Sequence, residues 1–140
     1  DAIKYYRAGD WQNLERYCLD DVRITRDVYW YGQRHGQIWF KDGGQLKAIP
    51  VPWRIIDEEG RVLPLVKDLV NEAWAGGKQL SVEYLGDEGR RKMEVDILAV
   101  DGNTVRAYDH GLQAEQKLLV TRIFDAKVIG QVKSFQQKLL

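Results

Sequence analysis

A chain of 140 residues is long enough for one domain, or for a small domain with an appended helical segment. Hydrophobic residues make up 44% and charged residues 30%, which is typical of a soluble globular protein, and no apolar run approaches the roughly 18 residues that a membrane-spanning helix needs. The formal net charge is zero, so nucleic-acid binding would require a local basic patch.

The start of the chain and its cysteine content indicate its context. It begins at Asp1 and its single methionine is Met93, which predicts that it is the C-terminal part of a longer protein. One cysteine, Cys18, excludes an internal disulfide and favours a cytoplasmic location. With only His35 and His110 beside that cysteine, a structural zinc site is not expected.

Two helices are predicted at the N-terminus. A short helix precedes Gly9. Asp10 is then a suitable N-cap for a second helix, because apolar residues recur from Trp11 onward at three- and four-residue steps and form one stripe. This stripe continues to about Tyr31, and Gly32 and Gly36 are plausible C-terminal stops.

A β-hairpin and a linker are predicted next. Residues 37–40 and 45–51 are two short strands around the turn sequence Asp42-Gly43-Gly44. Residues 54–63 contain a run of acidic residues and glycine, which indicates a linker. The linker divides the chain into an N-terminal domain (1–53) and a C-terminal domain (64–140).

The C-terminal domain is predicted to contain one helix and a small barrel. The helix covers residues 64–75 and ends at Gly76-Gly77. Alternation of Leu80, Val82 and Tyr84 with polar residues indicates strands with one buried face. The predicted strands are 79–84, 92–100, 104–108, 117–123 and 126–129. Five short strands with tight turns predict a closed antiparallel β-barrel, and the fold class is therefore α+β.

A tyrosine and an aspartate lie one turn apart on the second helix. Tyr17 and Asp21 share a helix face. A two-metal nuclease needs a carboxylate that binds a divalent ion and a nearby hydroxyl that orients the attacking water, and this pair supplies both. The alternative is a half-buried Tyr17 beside the apolar stripe and a solvated Asp21 near Arg23 and Arg26.

The residues around this pair resemble the third motif of the DEDD-type 3′–5′ exonucleases of the tyrosine subgroup, as found linked to helicases. The resemblance covers residues 1–53 and rests on Gly9-Asp10-Trp11 and on the segment from Tyr17 to Thr25. It implies that Tyr17 and Asp21 are catalytic in the intact parent protein, where Asp21 would bind Mg²⁺ or Mn²⁺. The family's other carboxylate motifs would lie upstream of Asp1, so neither catalysis nor a cofactor is expected in this fragment.

Several aromatic residues would lose their packing partners if the rest of such a nuclease domain were missing. They are Trp11, Tyr29, Trp30 and Trp39. Exposed together they would form an apolar patch that drives association. We expect them to fold onto the barrel, to pair with another copy in a homodimer, or to stay partly disordered.

The second half resembles the WYL-domain family over residues 64–130. The matching residues are Ala73, Gly77-Lys78, Tyr84, Arg91 with Glu94, Ala107-Tyr108 and Arg122-Ile123. The resemblance implies a helix and a small SH3- or Sm-like barrel that senses a ligand or binds nucleic acid. The sequence departs from the family at Val95, Gln116 and Leu118, where the family has proline, arginine and phenylalanine.

A binding groove is predicted from cations and tyrosines of this barrel. Arginine donates two parallel hydrogen bonds to a phosphate, and tyrosine can stack on a base. The candidate residues are Lys78, Tyr84, Arg90, Arg91, Lys92, Arg106, Tyr108 and Arg122. The alternative is that Arg90–Lys92 is a solvated turn balanced by Asp87, Glu88 and Glu94, with both tyrosines in the core.

Two functions remain in view. The leading hypothesis is a non-catalytic C-terminal region of a nucleic-acid-processing protein, a helicase-linked exonuclease, whose barrel binds single-stranded DNA or a nucleotide-like effector. The alternative is a protein-interaction or intramolecular docking module without nucleic-acid contact. No membrane partner is expected. A contiguous positive groove would favour the first hypothesis, and dispersed charge the second.

Overall fold

The structure, a computed structural model, describes residues 1–131; the end of the predicted C-terminal domain, residues 132–140, lies outside the described residues. Its helices and strands confirm an α+β fold. In chain order they are α1 (Ala2–Arg7), α2 (Trp11–His35), β1 (Gln37–Asp42), β2 (Gln45–Pro50), α3 (Val66–Gly76), β3 (Lys78–Gly86), β4 (Gly89–Asp101), β5 (Thr104–Asp109), β6 (Ala114–Leu119), a 3₁₀ turn (Val120–Arg122) and β7 (Ile123–Gln131). No helix within residues 1–131 has the length and apolar character needed to cross a membrane.

The long helix α2 begins where predicted and ends later. Asp10 accepts a hydrogen bond from the Asn13 amide (3.2 Å), which caps its N-terminus. Gly36, with a φ of 72°, ends the helix, so of the two predicted stops Gly36 is confirmed and Gly32 is wrong. Gly32 instead allows close packing, because a Cβ there would lie 2.5 Å from Cε3 of Trp53.

The predicted linker has local structure of its own. The amides of Glu59 and Arg61 both donate to Asp57 Oδ1 (2.9 Å each), which closes a tight turn. Ile56 and Val62 form an isolated antiparallel bridge across this turn. The segment therefore connects α3 to the hairpin as a small folded loop.

Helix α3 packs one face against the sheet. Asp68 accepts a hydrogen bond from the Leu65 amide (3.1 Å) at its start, and Gly77, with a φ of 60°, ends it. Its buried residues are Val66, Leu69, Val70 and Ala73. Trp74 of the same helix is 46% exposed.

The five C-terminal strands form one antiparallel sheet in the order β6-β5-β4-β3-β7. Every second residue of β3 faces the core, as the alternation predicted. The core of the sheet is made of Leu80, Val82, Tyr84, Met93, Val95, Ile97, Val105, Ala107, Leu118, Ile123 and Ala126. These side chains and the buried face of α3 form one continuous cluster.

The sheet is strongly curved, although its outer strands do not pair in the described residues. β6 and β7 lie at opposite edges, about 19 Å apart in a flat sheet, yet only the three residues Val120–Arg122 separate them. A 3₁₀ turn rises about 2 Å per residue, so the edges must approach each other. The Leu119 amide donates to the Tyr84 hydroxyl (3.0 Å), which links the two sides. The expected closed barrel is therefore a curved sheet joined by a side chain and a turn, and the predicted strand 117–123 is interrupted by that turn.

The C-terminal end of α2 covers the free edge of β7. The buried Arg34 donates from Nη2 to the Ala126 carbonyl (3.1 Å), from Nη1 to the Pro64 carbonyl (3.2 Å) and from Nε to Asp125 (3.0 Å). His35 donates from Nε2 to the Ile123 carbonyl (2.6 Å). Because an uncovered edge strand invites pairing with other chains, this helix end protects the sheet and fixes α2 on it.

Candidate ligand-binding cleft

An open cleft of about 720 Å³ lies between α2, the β1–β2 hairpin and the curved sheet. Its apolar lining consists of Ile24, Val28, Ile38, Trp39, Leu46, Leu85, Leu119 and Phe124. Its polar lining consists of Asp27, Tyr31, Arg90, Asn103, Thr121 and Arg122. A mostly apolar concavity of this size with a few polar groups is the usual form of a small-molecule site.

Tyr31 fixes the helix wall of the cleft. Its hydroxyl donates to the Thr121 carbonyl (2.5 Å), and its ring stacks on His35 with ring centroids 4.0 Å apart. Burial raises the pKa of Tyr31 to about 12, so the phenol keeps the proton that it donates. Burial lowers the pKa of His35, which outweighs the opposing effect of its hydrogen bond with Ile123.

Arg90 is held in a fixed position on the sheet wall. Its guanidinium lies over the Phe124 ring, 3.9 Å from the centroid. Nη2 forms an ion pair with Asp27 of α2, and Nη1 lies 3.7 Å from Glu83 Oε1. The aromatic ring and two carboxylates thus orient the guanidinium at the cleft wall.

Arg122 is the second cation of the cleft. It forms a 2.9 Å ion pair with Asp87, whose hydrogen bond raises the pKa of Arg122. The Asp87 side chain is 91% exposed, so water competes strongly for this contact. Leu85 of β3 is the register partner of Arg90 on β4. On the other side of β3, Tyr84 is the register partner of Ile123, so Arg122, one residue before Ile123, lies beside Leu85. The two arginines therefore flank one residue of the cleft wall.

The other predicted cations do not join this pair. Lys78 pairs with Glu72 (2.8 Å), and Arg106 lies 3.7 Å from Glu115. Arg91 donates to Gln116 Oε1 (2.6 Å). Lys92 is the register partner of Glu83. None of these four lines the cleft, and acidic or amide groups separate them, so the eight predicted site residues do not form a single contiguous groove.

The two predicted stacking residues differ in accessibility. Tyr84 is only 7% exposed and belongs to the core, where its hydroxyl accepts from Leu119. Its ring is therefore not available to a base, which corrects the prediction for Tyr84. Tyr108 is half-buried, and its ring meets His110 edge-on with centroids 5.2 Å apart.

His110 has a buried acidic partner. Its Nε2 lies 2.9 Å from Oδ1 of Asp96, which is almost fully buried. The His110 amide also donates to the Glu94 carbonyl (3.0 Å). The sequence offered no signal for this pair, because Asp96 lies on β4 and His110 lies in the turn after β5.

Tyr17 and Asp21 lie on the part of α2 that extends away from the sheet. Tyr17 is exposed and its ring meets Tyr5 edge-on. Asp21 is also exposed, and its backbone carbonyl accepts from the Thr25 hydroxyl (2.9 Å). Within residues 1–131, no group of three or more His, Cys, Asp or Glu side chains is placed to hold a metal ion.

The aromatic residues that were expected to lose partners have different surroundings. Trp11 is 61% exposed and Tyr29 is exposed beside Trp53. Trp39 lines the cleft and forms a hydrogen bond with Tyr31. Trp30 is half-buried near the Arg34 guanidinium. The apolar patch of the N-terminal segment is therefore only partly covered.

Asp27 and Phe124 are cleft residues that the sequence reasoning missed. Asp27 lies 63 residues from Arg90 along the chain, and nothing in the local pattern connects them. Phe124 follows the predicted strand 117–123 and was given no role. The pairing of β4 and β7 with β3 brings Phe124 to Arg90, and the docking of α2 brings Asp27 there.

Comparisons with known proteins give little further information. No family model matches the chain, and no curated protein matches it. Proteasome accessory factor B/C (PafBC) of Arthrobacter aurescens is a similar solved structure, with 19% identity and a TM-score of 0.45. The similarity covers 51% of this chain and 12% of the PafBC chain. A similarity of this extent does not establish a family for this chain.

Proposed function

We propose that this chain is a non-catalytic accessory region of a nucleic-acid-processing protein and that its cleft binds a small nucleotide-like effector. The observation that supports the proposal most directly is the pairing of Arg90 and Arg122 beside the apolar wall of a cleft of about 720 Å³. Guanidinium groups bind phosphate oxygens with two parallel hydrogen bonds. The apolar wall, which includes Trp39, offers a surface for a base.

The placement of the remaining cations favours a small effector over a long nucleic-acid strand. Lys78 and Arg106 each have an acidic partner of their own and lie outside the cleft. An extended strand needs a continuous row of cations that follows its backbone. A strand that makes six phosphate contacts predicts that log affinity falls with log salt with a slope of about −4, because condensed counterions are released, whereas a small effector carries no condensed counterions and predicts a much weaker salt dependence.

Titration with a fluorescent nucleotide, N-methylanthraniloyl-ADP (mant-ADP), tests this proposal. Arg90→Gln and Arg122→Gln should each weaken binding about tenfold, because each removes a charge-assisted hydrogen bond. Arg106→Gln is the matched control, since Arg106 is also a strand arginine beside a carboxylate but lies outside the cleft. Equal weakening by Arg106→Gln, or no binding of mant-ADP at millimolar concentration, would refute the proposal.

The identity of the parent protein, a helicase-linked 3′–5′ exonuclease, is part of the same proposal. Its support is the resemblance of residues 1–53, with Tyr17 and Asp21 one turn apart on α2. Fluorescence anisotropy with labelled single-stranded DNA at low and moderate salt tests direct contact of this region with the nucleic acid. Affinity that ignores salt would exclude phosphate contacts.

A second candidate function is docking to another protein or to another part of the parent. The exposed large apolar side chains of α2 and the hairpin favour it, among them Trp11, Val22 and Leu46, which are 61%, 65% and 63% exposed. Such a surface promotes association. Light scattering across a concentration series tests for a homodimer, and Val22→Lys should reduce any dimer that forms through this face. If the protein is a monomer at all concentrations, homodimer formation is excluded and this second function is docking to a different chain.

A further inference from the structure

Asp27 occupies the side of Arg90 that faces the cleft. Its Oδ2 pairs with Arg90 Nη2, and its Oδ1 lies 3.3 Å from Arg26 Nε. The Asp27 side chain is 30% exposed, so it lies within the cleft wall and not in free solvent. The Asp27 carboxylate oxygen occupies the guanidinium N–H that a phosphate oxygen would otherwise accept from.

An anionic ligand and Asp27 therefore compete for one guanidinium. Asp27 and Glu83 already lie against the two Nη atoms of Arg90, so a third anionic group would be repelled and must take the place of Asp27 or bind poorly. Arg90 itself would keep its position, because the Phe124 ring and Glu83 continue to hold it. Arg90 thus stays in place while α2 loses its Asp27–Arg90 contact.

The Asp27–Arg90 pair lies at one end of the region where α2 is attached to the sheet. Farther along the helix, Tyr31, Arg34 and His35 bind the sheet and the residues around it. Among the described residues, no hydrogen bond or ion pair joins residues 11–26 to the sheet. The Asp27–Arg90 pair is thus the first polar attachment of α2 met from its N-terminus.

Resting on the proposed function, we propose that Asp27 is an internal competitor for the anionic group of the cleft ligand, and that ligand binding releases the N-terminal part of α2 from the sheet. Tyr17 lies ten residues before Asp27, about 15 Å along the helix axis. A tilt of about 10° at Asp27 would move Tyr17 by roughly 2–3 Å and Asp21, which is closer to Asp27, by roughly 1.5 Å. Occupancy of the cleft would then set the position of the motif that resembles a nuclease site.

Binding of mant-ADP to Asp27→Asn tests the competition. Removal of the carboxylate charge should tighten binding by about threefold to tenfold. Asp20→Asn is the matched control, since Asp20 lies on the same helix, pairs with Arg23 and is outside the cleft; it should leave affinity unchanged. Asp27→Ser is a second variant, because the amide oxygen of asparagine can still accept from Arg90.

The release of the helix has its own readout. Cys18 is exposed and is the only cysteine of the chain, so a spin label there and a second label at the exposed position of Lys127→Cys report the distance from α2 to β7. Adding ADP should shift this distance distribution, and Asp27→Ser should show the shift without ADP. The inference is overturned if mant-ADP binding depends on Arg90 but neither Asp27 variant binds mant-ADP more tightly than the wild type. It is also overturned if the distance between the two labels does not change. In both cases the proposed function stands. Absence of any Arg90-dependent binding would overturn both.

Discussion

Arg34→Met should destabilise the protein more than any exposed charge substitution on α2. Arg34 is 6% exposed and donates to two backbone carbonyls, those of Pro64 and Ala126, and to the Asp125 carboxylate. Methionine keeps most of the apolar stem but leaves both carbonyls without this donor. Each buried acceptor that loses its partner costs about 1–3 kcal/mol, while the Asp125 side chain, 39% exposed, regains water. The free energy of unfolding should therefore fall by about 2–6 kcal/mol.

Urea denaturation followed by circular dichroism measures this loss. Arg23→Met is the matched control on the same helix, because Arg23 is 64% exposed and pairs only with Asp20, and it should change stability by no more than about 0.5 kcal/mol. Since Arg34 also fixes the helix that forms the cleft, Arg34→Met should weaken mant-ADP binding as well. A loss below about 1 kcal/mol for Arg34→Met would show that the docking of α2 on β7 contributes little to the fold.

Three further results are expected. Gly32→Ala should lower stability by about 1–2 kcal/mol in thermal unfolding, because its Cβ would meet the Trp53 ring at 2.5 Å and the better helix propensity of alanine offsets only about 1 kcal/mol; a stabilised variant would contradict this packing. Burial lowers the pKa of His35 in the folded state, so the unfolded chain binds more protons below pH 6.5 and the wild type should lose stability as pH falls through that range. Urea unfolding at pH 5 and pH 8 measures the difference in the free energy of unfolding between the wild type and His35→Gln, which should narrow or reverse toward pH 5. An unchanged difference would exclude this coupling. Residues 1–140 should show no magnesium- or manganese-dependent cleavage of labelled DNA, and cleavage that Asp21→Ala abolishes would overturn the non-catalytic assignment.

The features that the sequence predicted are those that depend on neighbouring residues. Asp10 caps α2 and Leu80, Val82 and Tyr84 face the core, because capping and strand alternation act over a few residues. The predicted helix stop at Gly32 is wrong because the role of this glycine depends on a distant residue and not on its neighbours. Its role comes from Trp53, which packs on it from a distant part of the chain, and a helix-stop signal cannot be distinguished from a close contact by sequence.

The candidate site was predicted only in part, because it depends on which charges meet in space. Arg90 and Arg122 were both named from the sequence, yet so were Lys78 and Arg106, which the fold places outside the cleft with acidic partners of their own. Tyr84 has the right chemistry for stacking, but it alternates with Glu83 along β3 and faces the core. The meeting of Asp27, Arg90 and Arg122 at one cleft follows from the turn that brings β6 near β3 and from the docking of α2, and neither is encoded in a local pattern.

The central claim is that an anionic nucleotide binds at the cleft between α2 and the curved sheet. Amide chemical shifts recorded during a titration with ADP test its location most directly. The account predicts that the largest changes lie at Leu85, Arg90 and residues 121–124, with smaller changes along residues 24–31 of α2. Changes centred on Arg106 and Lys117 of the opposite strands, or no changes at all, would contradict it.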